Sequence, residues 1–105
     1  MPLSDEFIYK LKESNPIENI MSSYTSLIKQ GHDYVCLCPF HSEKTPSCRI
    51  YTNDQNFYCF GCGAGGDVIT LVKRAENIGY IEAVKFLAEK CGMQLPDETK
   101  NSREL

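Results

Sequence analysis

Two short ligand pairs constrain this chain more than any other feature: Cys38-Pro39-Phe40-His41 and Cys59-Phe60-Gly61-Cys62. Within each pair two residues separate the donor side chains, so a single tight turn brings both onto one ion. Seventeen residues lie between the pairs, room for two short strands and a turn. Three thiolates and one imidazole make a closed tetrahedral zinc set, which leaves no coordination position for a substrate. The spacing therefore points to one structural Zn2+ held by Cys38, His41, Cys59 and Cys62 rather than to a reactive metal.

A chain of 105 residues is a single small domain. A core of that size is modest, and a metal staple is physically useful to it. No basic stretch followed by an apolar run opens the chain, so a secretory leader is not expected. The apolar runs are too short to span a bilayer. The expectation is a cytoplasmic protein with no membrane partner, in a reducing compartment where clustered cysteines hold metal rather than form disulfides. Cys36 follows the alternation of a strand and stands five residues from His41, a poor knuckle, so it reads as a packed strand residue rather than as a substitute for Cys38. Cys48 and Cys91 read as small apolar core residues, and His32 as an exposed turn residue. The net charge is −3. A domain that held nucleic acid by charge alone would be basic, so any such contact here must be weak, confined to one face or shared with other domains.

Coarse periodicity places these residues. Ser4 suits an N-cap for a helix whose apolar face is Phe7, Ile8 and Leu11, with Asp5 and Glu6 at its positive end. Asn15-Pro16 restarts the chain, with Asn15 as cap, Pro16 at the first helical position and Glu18 completing a capping box. Thr25 to Lys29 and Asp33 to Leu37 read as a hairpin turning at Gln30-Gly31. Ser47 to Tyr51 and Asn56 to Cys59 form a second antiparallel pair. Asp67 caps a helix carrying Val68, Ile69, Leu71 and Val72, and a last helix runs from about Tyr80 to Cys91, with Gly92 ending it. The fold class is α+β: a zinc ribbon with a small antiparallel sheet flanked by N-terminal and C-terminal helices. The module spans 1–95 with its zinc ribbon core at 34–66, and 96–105 is expected to be a polar, flexible tail.

The runs Leu37-Cys38-Pro39-Phe40-His41-Ser42-Glu43-Lys44-Thr45-Pro46-Ser47 and Phe57-Tyr58-Cys59-Phe60-Gly61-Cys62-Gly63-Ala64-Gly65-Gly66-Asp67 closely resemble the N-terminal zinc-binding domain of bacterial DNA primases. The resemblance covers about Pro16 to Leu95. It implies a zinc ribbon with Cys38, His41, Cys59 and Cys62 as ligands. It also implies that the domain holds single-stranded DNA template for RNA primer synthesis in replication, while a separate catalytic domain, in cis or in trans, joins the ribonucleotides. A replicative helicase is a further partner of such a system. No reaction is expected from this domain alone. The chain departs from the family where extra basic residues are common, reading His32-Asp33 and Asn53-Asp54. It also has Cys48 where an aromatic residue is common and Tyr58 where a histidine is common. These departures leave the zinc set intact and bear on the affinity for DNA.

Single strands bind where bases stack on rings and phosphates meet cations. The sheet offers Tyr34, Tyr51, Phe57 and Tyr58 as rings, and Lys29, Lys44 and Arg49 as cations. Phe57 and Tyr58 alternate, so one of them is core, and Arg49 and Tyr51 share a face. Gly63 to Gly66 lack the Lys-Ser/Thr pair of a phosphate-cradling loop and read as a flexible exit from the second knuckle. His41-Ser42-Glu43 with Cys59-x-x-Cys62 imitates a zinc deaminase. Against that, Cys38 occupies the place of the catalytic water, Pro46 stops the required helix, and no proline precedes Cys59. The remaining alternative is a zinc-stabilised protein-interaction or regulatory module of a mobile element, without nucleic-acid binding of its own.

Overall fold

The computed structural model describes residues 4–40 and 44–95. His41 and the expected tail at 96–105 lie outside the described residues. Helix α1, Asp5–Ser14, starts where the Ser4 hydroxyl accepts the Phe7 N–H at 3.1 Å, and it buries Leu11 completely. Helix α2, Ile17–Met21, follows almost at once. Here the expected cap is displaced by one residue. Pro16 occupies the N-cap position, and Asn15 is turned inward, 3% exposed, with its Nδ2 donating to the carbonyls of Leu11 at 3.0 Å and Leu87 at 3.2 Å. The two buried carbonyls need a donor, and the Asn15 amide supplies it. The first N–H of α2, from Ile17, is instead accepted by Gln55 Oε1 at 2.9 Å.

Five antiparallel strands form a meander in the order β1-β2-β3-β4-β5: β1 Leu27–Gln30, β2 Asp33–Cys36, β3 Cys48–Tyr51, β4 Asn56–Cys59 and β5 Gly65–Gly66. The first hairpin turns at Gly31-His32, one residue later than its sequence suggests. The register aligns Leu27, Cys36, Cys48 and Cys59 in one row and Ile50 with Phe57 in another. Cys36, Cys48, Cys59 and Ile50 are fully buried and Phe57 is 2% exposed, so this face is the core side. Each large side chain so buried contributes about 1.5–3 kcal/mol.

Helices α3, Val68–Glu76, and α4, Tyr80–Cys91, join α1 and α2 in burying that face. The Asp67 carboxylate accepts the Thr70 N–H at 2.9 Å to start α3, and Gly92, at φ 77°, ends α4. Cys91 is half-buried rather than fully enclosed. Strand β5 is the element that its sequence hid. Gly65 pairs with Tyr58, and a Cβ on it would stand 2.9 Å from the Phe57 carbonyl and 3.0 Å from the Tyr58 ring. Gly66 has φ 147° and lies against Thr70. The glycines are there for close approach, so that α3 and the sheet edge can meet.

Candidate metal centre and open sheet face

Cys38 follows β2 and opens a turn through Pro39 and Phe40, whose N–H points to the Cys38 sulfur at 3.4 Å. Phe40 is folded back onto the core, 5.9 Å from the Phe57 ring, with the Arg74 guanidinium 5.3 Å above it. The first knuckle is thus seated on packed side chains. Cys59 ends β4, and the second knuckle closes as the Cys59 N–H reaches the Ala64 carbonyl at 2.7 Å and the Gly63 N–H reaches the Cys59 carbonyl at 2.8 Å.

These two turns bring the sulfurs of Cys38, Cys59 and Cys62 within 4.8 Å of one another, with Cys38 and Cys62 3.8 Å apart. Cys36 is not in that cluster. It lies buried opposite Cys48 on β3, as the alternation of β2 required. The Cys48 thiol is pushed well up, first by its hydrogen bond with Cys36 and then by burial. Cys38 is pushed up to about 12 by burial, against the Phe40 N–H. Cys59 behaves differently. Burial opposes its ionisation, but the Ser47 hydroxyl, 3.4 Å from its sulfur, and the N–H groups of Cys62 and Gly61 outweigh that and bring it down to about 7. A thiolate-ready sulfur beside two further thiols on turns is the soft donor set that zinc takes. Cys62 is solvent-exposed, whereas Cys38 and Cys59 are buried.

The expected ring and cation set divides between two faces. Arg49 pairs across the strands with Tyr58, and Tyr51 stands two residues from Arg49, so these three share the face turned away from the helices. Tyr58 is 42% exposed, and the Arg49 guanidinium lies 5.8 Å from the Tyr51 ring. Tyr34 and Lys29 face each other at 5.2 Å, but in the row of Ile50 and Phe57, at the helix-side margin of the sheet, and Tyr34 is half-buried against the core. Phe57 is the ring of the 57–58 pair that is core. Lys44 is exposed in the loop before β3.

One ring was missed. Phe60 is 67% exposed and meets Tyr58 edge-to-face at 5.0 Å. Its position between two metal ligands was the available signal, since a knuckle turn has no interior in which to hide a ring. Phe40, the aromatic of the other knuckle, escapes that rule only because it reaches back to Phe57.

Residues 3–103 match the CHC2 zinc finger family. The chain is 42% identical over 95 residues to a DNA primase of Clostridium acetobutylicum, covering 90% of this chain and 16% of that protein. It is 38% identical over 100 residues to a DNA primase of Halalkalibacterium halodurans, covering 95% and 17%. A crystal structure of the Aquifex aeolicus primase, comprising zinc-binding and RNA polymerase domains, superposes with a TM-score of 0.81 at 41% identity, over 91% of this chain and 24% of that one. The chain thus spans about a sixth of the length of the curated relatives it matches. Among the described residues no helix is long and apolar enough to cross a membrane.

Proposed function

Since the chain belongs to the CHC2 zinc finger family, the zinc-binding domain of DNA primases, and carries a structural zinc, we propose that it presents single-stranded DNA template on its open sheet face for primer synthesis by a primase catalytic domain. Cys38, Cys59 and Cys62 are proposed as three ligands, with His41 as the fourth. The ion, when bound, ties the β2 turn to the β4 turn, because it binds the folded chain far better than the unfolded one. Everything else is done by the chain. Sheet pairing holds Tyr58 beside Gly65, where a side chain would cover the ring, and Phe60 buttresses it from the side. Tyr51 and Arg49 extend the same surface.

The observation that carries this reading is the exposure of Tyr58 and Phe60, in mutual contact, on the one sheet face that the helices leave bare. Exposed rings in contact offer π-faces to any base, at about 1–3 kcal/mol per stacked base. Binding of the zinc-loaded chain to a labelled oligothymidylate tests it. Tyr58→Ala should weaken binding about ten-fold with little change in salt slope. Lys44→Ala should make the slope shallower by about 0.7, one phosphate contact on a single strand. If both variants bind like the parent, the sheet face is the wrong surface. Partnership with a primase catalytic domain, in cis or in trans, and with a helicase belongs to the same proposal. Restoration of primer synthesis when this chain is added to a catalytic domain lacking it would support the first of these partnerships.

A further inference from the structure

The open sheet face holds its cation already engaged. By register, the strand residues turned away from the helices include Val35, Arg49 and Tyr58 in one row and Asp33, Tyr51 and Asn56 in the next. Among the described strand residues of that face Arg49 is the only cation and Asp33 the only anion. The two are paired, Arg49 Nη2 lying 3.5 Å from Asp33 Oδ2, with side chains 34% and 22% exposed. The carboxylate is fixed from behind. Its other oxygen accepts the Thr52 N–H at 3.3 Å, and the Thr52 hydroxyl donates to the His32 carbonyl at 2.8 Å. Asp33 therefore cannot drift from the guanidinium without giving up a backbone contact. A phosphate approaching Arg49 meets a resident oxyanion of like charge beside its Nη2 donor.

We propose that Asp33 is a built-in phosphate surrogate, which keeps the sheet face electrically neutral and sets the affinity and salt dependence of single-strand binding. This rests on the single-strand reading above and deepens it. The strand is held by rings, and the guanidinium contributes through its contact with Tyr51 until Asp33 is removed. A chain of net charge −3 can then bind a polyanion without a basic patch, at the cost of affinity.

The test uses the zinc-loaded chain, a fluorescent oligothymidylate and anisotropy titrations over a range of NaCl concentrations. Asp33→Asn keeps an acceptor for Thr52 and removes only the charge. It should bind about three- to five-fold more tightly at low salt, with a salt slope steeper by about 0.7. Asp33→Ser, a smaller replacement, serves as a second variant and should change in the same direction. Asp54→Asn removes the same charge from the exposed β3–β4 turn and should leave the slope as it is. In an Arg49→Ala background Asp33→Asn should have no effect. The inference is overturned if Asp33→Asn and Asp33→Ser bind like the parent while Arg49→Ala is weaker, or if Asp54→Asn reproduces the gain. Absence of binding by every form, parent included, would overturn the single-strand reading itself.

Discussion

Gln55 ties the β3–β4 turn to α2 and stands in a conformation that suits it poorly, so replacing it by glycine or by alanine separates two opposing effects. Its backbone has φ 56°, in the left-handed region, which costs a residue with a Cβ about 1–2 kcal/mol. Its side chain offsets that. Oε1 accepts the Ile17 N–H at 2.9 Å and so caps α2, while Nε2 donates to Glu18 Oε1 at 3.0 Å and to the Thr52 carbonyl at 2.8 Å. At about 1 kcal/mol for a cap and 0.5–1 kcal/mol for each partly exposed hydrogen bond, the side chain contributes roughly 2–3 kcal/mol. Gln55→Ala loses all of this and keeps the backbone strain, so it should destabilise by about 2–3 kcal/mol. Gln55→Gly loses the same contacts and relieves the strain, so it should cost only about 1 kcal/mol. Urea unfolding at saturating zinc, with the slopes compared to confirm a common unfolded state, gives both values. The ranking is the reverse of the usual one, in which alanine is the more stable of the two. Alanine equal to or better than glycine would refute the strain argument, and two neutral variants would refute the role of the side chain.

Asn15→Ala should cost about 2 kcal/mol in the same assay, because it leaves the Leu11 and Leu87 carbonyls without their shared donor. Asn15→Asp should cost more still, since a carboxylate has no donor for either carbonyl; an aspartate variant as stable as alanine would count against the buried bridge. Asp67 gives a pH signature. Burial raises its pKa, but the Thr70 N–H and Lys12, at 2.9 Å, outweigh that, and its carboxyl is held below the usual range. A depressed folded pKa means that the stabilisation is present above the unfolded value of about 3.9 and is lost as pH falls through the folded one. Asp67→Asn should therefore be less stable than the parent at neutral pH by about 0.5 kcal/mol, the ion pair being about one-third exposed. The two proteins should converge in acid, and a difference that persists at low pH would point to another cause.

Much of the fold was legible because local chemistry and burial agree. Ser4, Asp67 and Gly92 cap where they should, and alternation along β4 required one of Phe57 and Tyr58 to be core, the packing of the sheet deciding that it is Phe57. What stayed hidden is tertiary in origin. Asn15 carries the side chain of a helix cap, and only the approach of α4 diverts it to Leu87. Gly65-Gly66 has no side-chain pattern, so a two-residue strand there could be known only from what it packs against. Tyr34 and Lys29 stand on the core side because Tyr34 is two residues from the buried Cys36 on β2 and Lys29 pairs with Tyr34, a consequence of alternation that grouping the rings and cations by type leaves out. For the metal centre the spacing singled out Cys38, His41, Cys59 and Cys62 and set Cys36 aside; among the described residues the sulfurs of Cys38, Cys59 and Cys62 lie within 4.8 Å of one another. The Arg49–Asp33 pair spans two strands whose residues are sixteen apart, beyond the reach of any local pattern.

The most direct test of the whole account is zinc-edge X-ray absorption on the purified chain, with metal content measured on the same sample. A single zinc with three sulfur neighbours, one imidazole nitrogen and no bound water is expected. A chain that folds fully without metal, or a zinc carrying an oxygen ligand, would contradict it.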